Sequence, residues 1–246
     1  MLSKAQNKYI RSLTQQKFRN EYKVFIAEGE KIALEWLISN NPIQMVIATE
    51  EWAKQNNTVI SKHKEAELHI VNYTELEALS GLQTPNEVML VVPVPAVKTV
   101  PTINEWCLAL DDIQDPGNMG TIIRIADWFG ISHVVCSPGC VDVYNPKVVQ
   151  SAMGGHLRVS IYEADIATFL AATPLPKIAA TLNGENVYEM ERLNAGVLII
   201  GNESKGVSGK VAALATQKVT IPRKGGAESL NAGVSAGILC ALLLPC

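Results

Sequence analysis

The chain has 246 residues, of which 48% are hydrophobic and 18% charged, and a formal net charge of −3. This composition excludes an intrinsically disordered chain and leaves room for one large domain or two small ones. The charge excludes a global attraction to nucleic acid, so a nucleic-acid partner needs a local basic patch.

One such patch opens the chain. Up to Phe25 the basic residues are Lys4, Lys8, Arg11, Lys17, Arg19 and Lys23, against Glu21 alone. Lys4, Lys8 and Arg11 have helical spacing, and Leu2, Ala5, Tyr9 and Leu13 form a less polar stripe. The pattern predicts an amphipathic helix whose basic face either meets RNA or is simply solvated. No apolar signal-like segment begins the sequence, and the longest apolar run, at the C-terminus, is too short to span a bilayer. A soluble, cytoplasmic protein without a membrane partner is expected.

The next elements alternate. A strand is predicted over 24–27 and a helix over 29–39. "IQMVIAT" reads as a strand, 50–67 as an interrupted helix and "ELHIVN" as a strand. "YTELEALSGL" reads as a helix ending near Gly81, and "EVMLVVPV" as a last strand. This pattern predicts a small three-layer α/β domain. Pro93, Pro95 and Pro101 suit an extended segment. The expected organisation is a domain over 1–97, a linker over 98–103 and a second domain over 104–246.

The second half alternates again. Strands are predicted at "EWCLALDDI", "SHVVCSPG", "HLRVSIYE", "KIAATLN", "GVLIIGNE" and "QKVTIP", with helices at "TIIRIADWFG", "NPKVVQSAMGG", "DIATFLAAT", "KVAALA" and "NAGVSAGILCALLL". Continuous apolar strands point to a buried parallel sheet, whose ligands sit beyond the C-terminal strand ends. Three junctions lie there: 111–120, 201–208 and 221–231. In the first, Pro116-Gly117-Asn118 reads as a turn, and Arg124 suits either a phosphate grip or a surface role. In the second, Glu203 suits either a ligand or the start of the next helix. In the third, "RKGGAE" precedes Ser229 and Asn231, which compete for the helix cap. Neither the dinucleotide nor the P-loop glycine pattern is present. Cys107, Cys136, Cys140, Cys240 and Cys246 show no disulfide framework, and no Cys/His set has metal-ligand spacing, so reduced thiols and no metal are expected.

Taken in order, "NMGTIIRIADWFG", "IIGNESKGVS" and "IPRKGGAESLNAGVSAGIL" resemble the motifs of the SpoU (TrmH-like) family of RNA ribose 2′-O-methyltransferases, in the SPOUT superfamily. "RNEYKVFIAEGEKIALEWL" resembles the opening of that family's substrate-binding domain, which is similar to ribosomal protein L30e. The resemblance implies an α/β fold, with an L30e-like domain followed by a parallel-sheet domain tied in a deep trefoil knot. It implies S-adenosyl-L-methionine as cofactor and structured RNA as substrate, ribosomal (23S) RNA favoured over tRNA. A non-catalytic RNA-binding protein on the same fold is the alternative from another class. Carried over, the catalytic residues are Asn118, Arg124, Glu203 and Asn231, and the cofactor contacts are Thr181, Leu182, Gly201, Ile221 and Leu230. RNA contacts fall on Lys4, Lys8, Arg11, Arg19, Arg223 and Lys224, and the apolar C-terminal helix forms a homodimer. Gly233 departs from the family, standing where a serine is usual, and Arg223-Lys224 stand where a methionine is common.

Overall fold

The structure is a computed structural model that describes residues 2–82, 85–96 and 99–245. Lys98, in the expected linker, and Cys246 lie outside the described residues. The chain divides into two compact units, Met1–Ala96 with Tyr144–Leu157, and Val97–Val143 with Arg158–Cys246. The segment Tyr144–Leu157, read from sequence as part of the second half, thus groups with the first unit.

The first unit runs α1 (Lys4–Ser12), α2 (Gln16–Tyr22), β1 (Val24–Glu28), α3 (Glu30–Ile38), β2 (Met45–Ala48), α4 (Glu50–Gln55), α5 (Asn57–Ile60), β3 (Glu67–Ile70), α6 (Tyr73–Glu77) and β4 (Val88–Pro93). Its sheet has the order β1-β4-β2-β3, with β4 antiparallel to both neighbours and β2 parallel to β3. Alternate residues feed two cores. Phe25 and Ala27 of β1 join Trp36 and Trp52 on one face, while Val24 and Ile26 join Ile10, Leu13 and Leu76 on the other. The three layers follow from that double burial. Helix α6 is shorter than the pattern predicted, because its capping box at Asn72 and Glu75 starts it firmly but turns replace it after Glu77.

Arg19 corrects the sequence reading. It is buried, and its Nη1 donates to the carbonyls of Leu13 and Thr14, at 2.9 Å each. It braces the turn between α1 and α2 and is withdrawn from the cations offered to RNA.

In the second unit β5 (Cys107–Asp111), α7 (Pro116–Trp128) and β6 (His133–Cys136) come first. Helix α8 (Pro146–Ala152) belongs to the first unit, where it packs on β1. Then follow β7 (Ser160–Glu163), α9 (Ile166–Ala172), β8 (Lys177–Asn186), β9 (Val197–Gly201), α10 (Gly209–Ala212), β10 (Gln217–Thr220) and α11 (Ala232–Leu243). All six strands are parallel, in the order β10-β8-β9-β5-β6-β7. The ends of β5, β8, β9 and β10 therefore point to one edge, and the segments holding the three motifs emerge there. Helix α7 starts five residues earlier than the sequence reading placed it. Asp115 is its N-cap and Pro116 its first residue, so the supposed turn is the first turn of the helix. Among the described residues no helix is long and apolar enough to cross a membrane.

Candidate active site

The end of β9 is built by close backbone contact. A Cβ on Gly201 would lie 2.2 Å from the carbonyl carbon of Gly206 and from the nitrogen of Val207, so only glycine fits. The turn that follows is wound around Asn202, which is buried. Its Oδ1 accepts from the Ser204 and Lys205 N–H groups at 3.0 and 3.1 Å, and its Nδ2 donates to the Asp112 carbonyl at 2.8 Å. Asp111 accepts from the Ser208 N–H at 2.8 Å. The ends of β5 and β9 are thus locked together, and Glu203 is carried to the start of α7.

There the three motifs meet. Asn231 Nδ2 donates to Asn118 Oδ1 at 2.6 Å, and Asn118 Nδ2 donates to Glu203 Oε1 at 2.9 Å. Glu203 also accepts from the N–H groups of Asp115 and Gln114, at 3.2 and 3.3 Å. Asp115 Oδ1 caps α7 through the Asn118 N–H at 2.8 Å, and Asn231 Oδ1 caps α11 through the Val234 N–H at 3.2 Å. Asn231, not Ser229, is therefore the cap of the last helix. Burial pushes the Glu203 carboxyl up, but the hydrogen bonds from Asn118 and the backbone N–H groups outweigh it, and the pKa lies below the ordinary value.

Of the four expected catalytic residues, Asn118, Glu203 and Asn231 are brought together. Arg124 is exposed on α7, and among the described residues no hydrogen bond or ion pair joins it to the other three. Asp115 was missed by the sequence reading, although Asp-Pro before an apolar helical run is a recognisable start signal.

The five expected cofactor residues lie along the same sheet edge. The pairing of β8 with β10 jumps from Ala179↔Lys218 to Glu185↔Val219, so Thr181 and Leu182 fall in an excursion of β8. Among the described residues Thr181 Oγ1 is buried without a hydrogen-bond partner, and Leu182 and Leu230 are 71% and 48% exposed. An orphaned hydroxyl and two open apolar side chains suit a ligand with both polar groups and a flat apolar ring. In the segment 221–230, Ile221 is partly buried and the remainder exposed, and Arg223 Nη1 folds back onto the Ala227 carbonyl at 3.1 Å. Arg223 and Lys224 are both exposed.

Gly233 also has a structural reason. A Cβ there would lie 2.8 Å from Thr121 Cγ2 and 3.1 Å from Thr121 Cβ, so a serine would force Thr121 or α11 to shift.

Residues 105–241 match the SpoU rRNA Methylase family, more than half of the chain. The chain belongs to this family. Residues 4–90 match the MRM3-like substrate binding domain. A Bacillus subtilis (strain 168) protein named 23S rRNA (guanosine(2553)-2'-O)-methyltransferase RlmP is 28% identical over 235 residues, covering 93% of this chain and 92% of its own. A solved structure of a TrmH-family RNA methyltransferase from Porphyromonas gingivalis has a TM-score of 0.86 at 34% identity, over 99% of this chain and 98% of that one. The AdoMet-bound rRNA methyltransferase from Sinorhizobium meliloti has a TM-score of 0.85 at 27% identity, over 98% and 94%. In this SpoU member the three motifs anticipated from sequence are the ones the hydrogen bonds connect.

Two outcomes are expected. Glu203→Gln sets an amide N–H₂ against backbone N–H donors and should cost about 1.5–3 kcal/mol at neutral pH by chemical denaturation. Because the folded pKa is depressed, the wild-type advantage is complete above about pH 5 and shrinks as pH falls through the folded value, so the two proteins should converge in acid. Gly233→Ser should cost about 1–3 kcal/mol. Combining it with Thr121→Ala should recover about 1 kcal/mol of that in a double-mutant cycle, since the 2.8 Å contact is gone.

Proposed function

We infer that this protein is an enzyme that methylates a ribose 2′-hydroxyl in ribosomal RNA of the large subunit, using S-adenosyl-L-methionine. The observation that carries the reading is the Asn231–Asn118–Glu203 chain, which joins all three family motifs at the ligand-bearing edge of the parallel sheet. The named relative from Bacillus subtilis favours rRNA over tRNA as the substrate. The bound cofactor of the Sinorhizobium meliloti structure supports the same cofactor here. A cytoplasmic location accords with such a substrate.

Thr181, Leu182, Gly201, Ile221 and Leu230 would hold the cofactor. When bound, it supplies a methyl group already attached to a good leaving group. The chain's own task is then to orient a weakly nucleophilic hydroxyl and ease loss of its proton. Glu203 is a poor base, because its carboxylate is held by N–H groups and its pKa is depressed. We assign it, with Asn118, to positioning: they fix the amide of Asn231 and the first turn of α7. Arg124 is exposed one helical turn beyond Gly120, and its guanidinium is a donor-only group. Its role is to clamp a phosphate beside the target ribose with its planar fork. Lys4, Lys8, Arg11 and Lys224 extend the phosphate contacts.

A homodimer completes the reading. Helix α11 is apolar nearly all round, yet Val234 is 50% exposed, and Trp128 at the end of its packing partner α7 is 83% exposed. Unpaired apolar surface of that kind suits a second copy of the chain.

Mapping of 2′-O-methyl sites in cells with and without the gene should show one site lost from large-subunit rRNA, and no lost site would refute the function. Purified Arg124→Lys should methylate that RNA at least about tenfold more slowly, the loss of one bidentate charge-assisted contact. Sedimentation at micromolar concentration should give a dimer; a monomer would refute the C-terminal interface.

A further inference from the structure

We propose that Tyr22 and Phe18 form a stacking platform for an unpaired base of the RNA substrate. This rests on the RNA reading above and adds to it a site that reads single-stranded nucleotides. The Phe18 and Tyr22 rings, one turn apart on α2, lie nearly parallel, with centroids 6.1 Å apart and planes 14° apart. Tyr9 of α1 meets Tyr22 edge-on at 5.0 Å, and its hydroxyl is tied to Gln44 at 3.3 Å. The turn between the two helices is braced by the buried Arg19. The aromatic group is therefore fixed before any ligand arrives, which lowers the entropic cost of binding.

A fixed aromatic cluster of this kind normally completes a core, but Tyr22 remains 43% exposed. Its surroundings are mainly cationic, with Glu67 of β3 the acid that acts on Tyr9. Lys17 Nζ lies 5.7 Å from the Phe18 ring centroid, and Lys23, exposed, follows Tyr22 directly. Lys4, Lys8 and Arg11 are exposed on α1, and Glu21 is the one acid on α1 or α2. Exposed π surface interleaved with cations matches a nucleobase with its flanking phosphates. An apolar protein partner would not call for the cations, and duplex RNA has no free base face to offer the rings. The occupant is thus a single-stranded loop, bulge or end.

The test uses the full chain and two fluorescein-labelled probes, a twelve-nucleotide oligouridylate and its duplex with oligoadenylate, read by fluorescence anisotropy. Tyr22→Leu keeps apolar bulk but removes the ring. It should weaken oligouridylate binding about five- to a hundredfold, the range for one stacked base, and leave duplex binding within about twofold. Tyr22→Phe should bind like the wild type. Undiminished oligouridylate binding by Tyr22→Leu, or equal loss for both probes, overturns the platform. A second measurement needs no variant: ultraviolet crosslinking of a 5-bromouridine oligonucleotide should place adducts on Tyr22 or Phe18, and adducts only elsewhere overturn it. Failure of the RNA reading itself would look different, since the wild type would then bind neither probe.

Discussion

Two amide side chains and one carboxylate hold three distant stretches of the chain at a single point, and most of the catalytic unit is arranged to keep them there. Asn118 has both ends of its amide engaged: its oxygen accepts from Asn231 and its nitrogen donates to Glu203. That double engagement fixes which way the amide faces. It also ties the cap of α11 to the first turn of α7, so the segment 221–230 leaves β10 and enters α11 at fixed points. Glu203 sits against the free N–H groups before α7, where a helix start favours negative charge. The carboxylate contributes by staying ionised and still.

That convergence requires backbone to pass close to backbone. At Gly201 the chain leaves β9 with another strand of main chain against it, and at Gly233 one helix lies directly on a threonine of another. These two residues act through the absence of a side chain. A serine at the second position, which the resemblance to the family suggests, would press on Thr121 and force it or α11 to shift, so the glycine belongs with its neighbour.

The alternation of strands and helices was most legible where a strand is buried nearly throughout and reads as an unbroken apolar run, as in β1, β2, β4, β5 and β9, whereas β3 and β10 are largely exposed. The edge at which the three motifs meet followed from the same apolar runs, since parallel strands present ligands at their C-terminal ends. What escaped was decided by short polar signals and by burial. Asp115-Pro116 begins a helix where glycine and asparagine suggested a turn. Arg19 sits in a row of surface cations by spacing, yet its guanidinium satisfies two inward-facing carbonyls, and spacing carries no information about depth. The excursion of β8 at Thr181 and Leu182 has no local signature, since it arises where the strand, paired with both β9 and β10 at Ala179, leaves β9 and resumes pairing with β10 only at Glu185.

The grouping of Tyr144–Leu157 with the N-terminal unit has a practical meaning. Val149 of α8 is part of the same core as Phe25 and Trp36, and Tyr144 packs on Phe25 with ring centroids 4.8 Å apart. A fragment ending at residue 96 would lack those side chains and leave part of that apolar face open to water. The N-terminal half is therefore a discontinuous folding unit: it cannot be excised by a single cut, and it reaches its full core only after synthesis has passed residue 157.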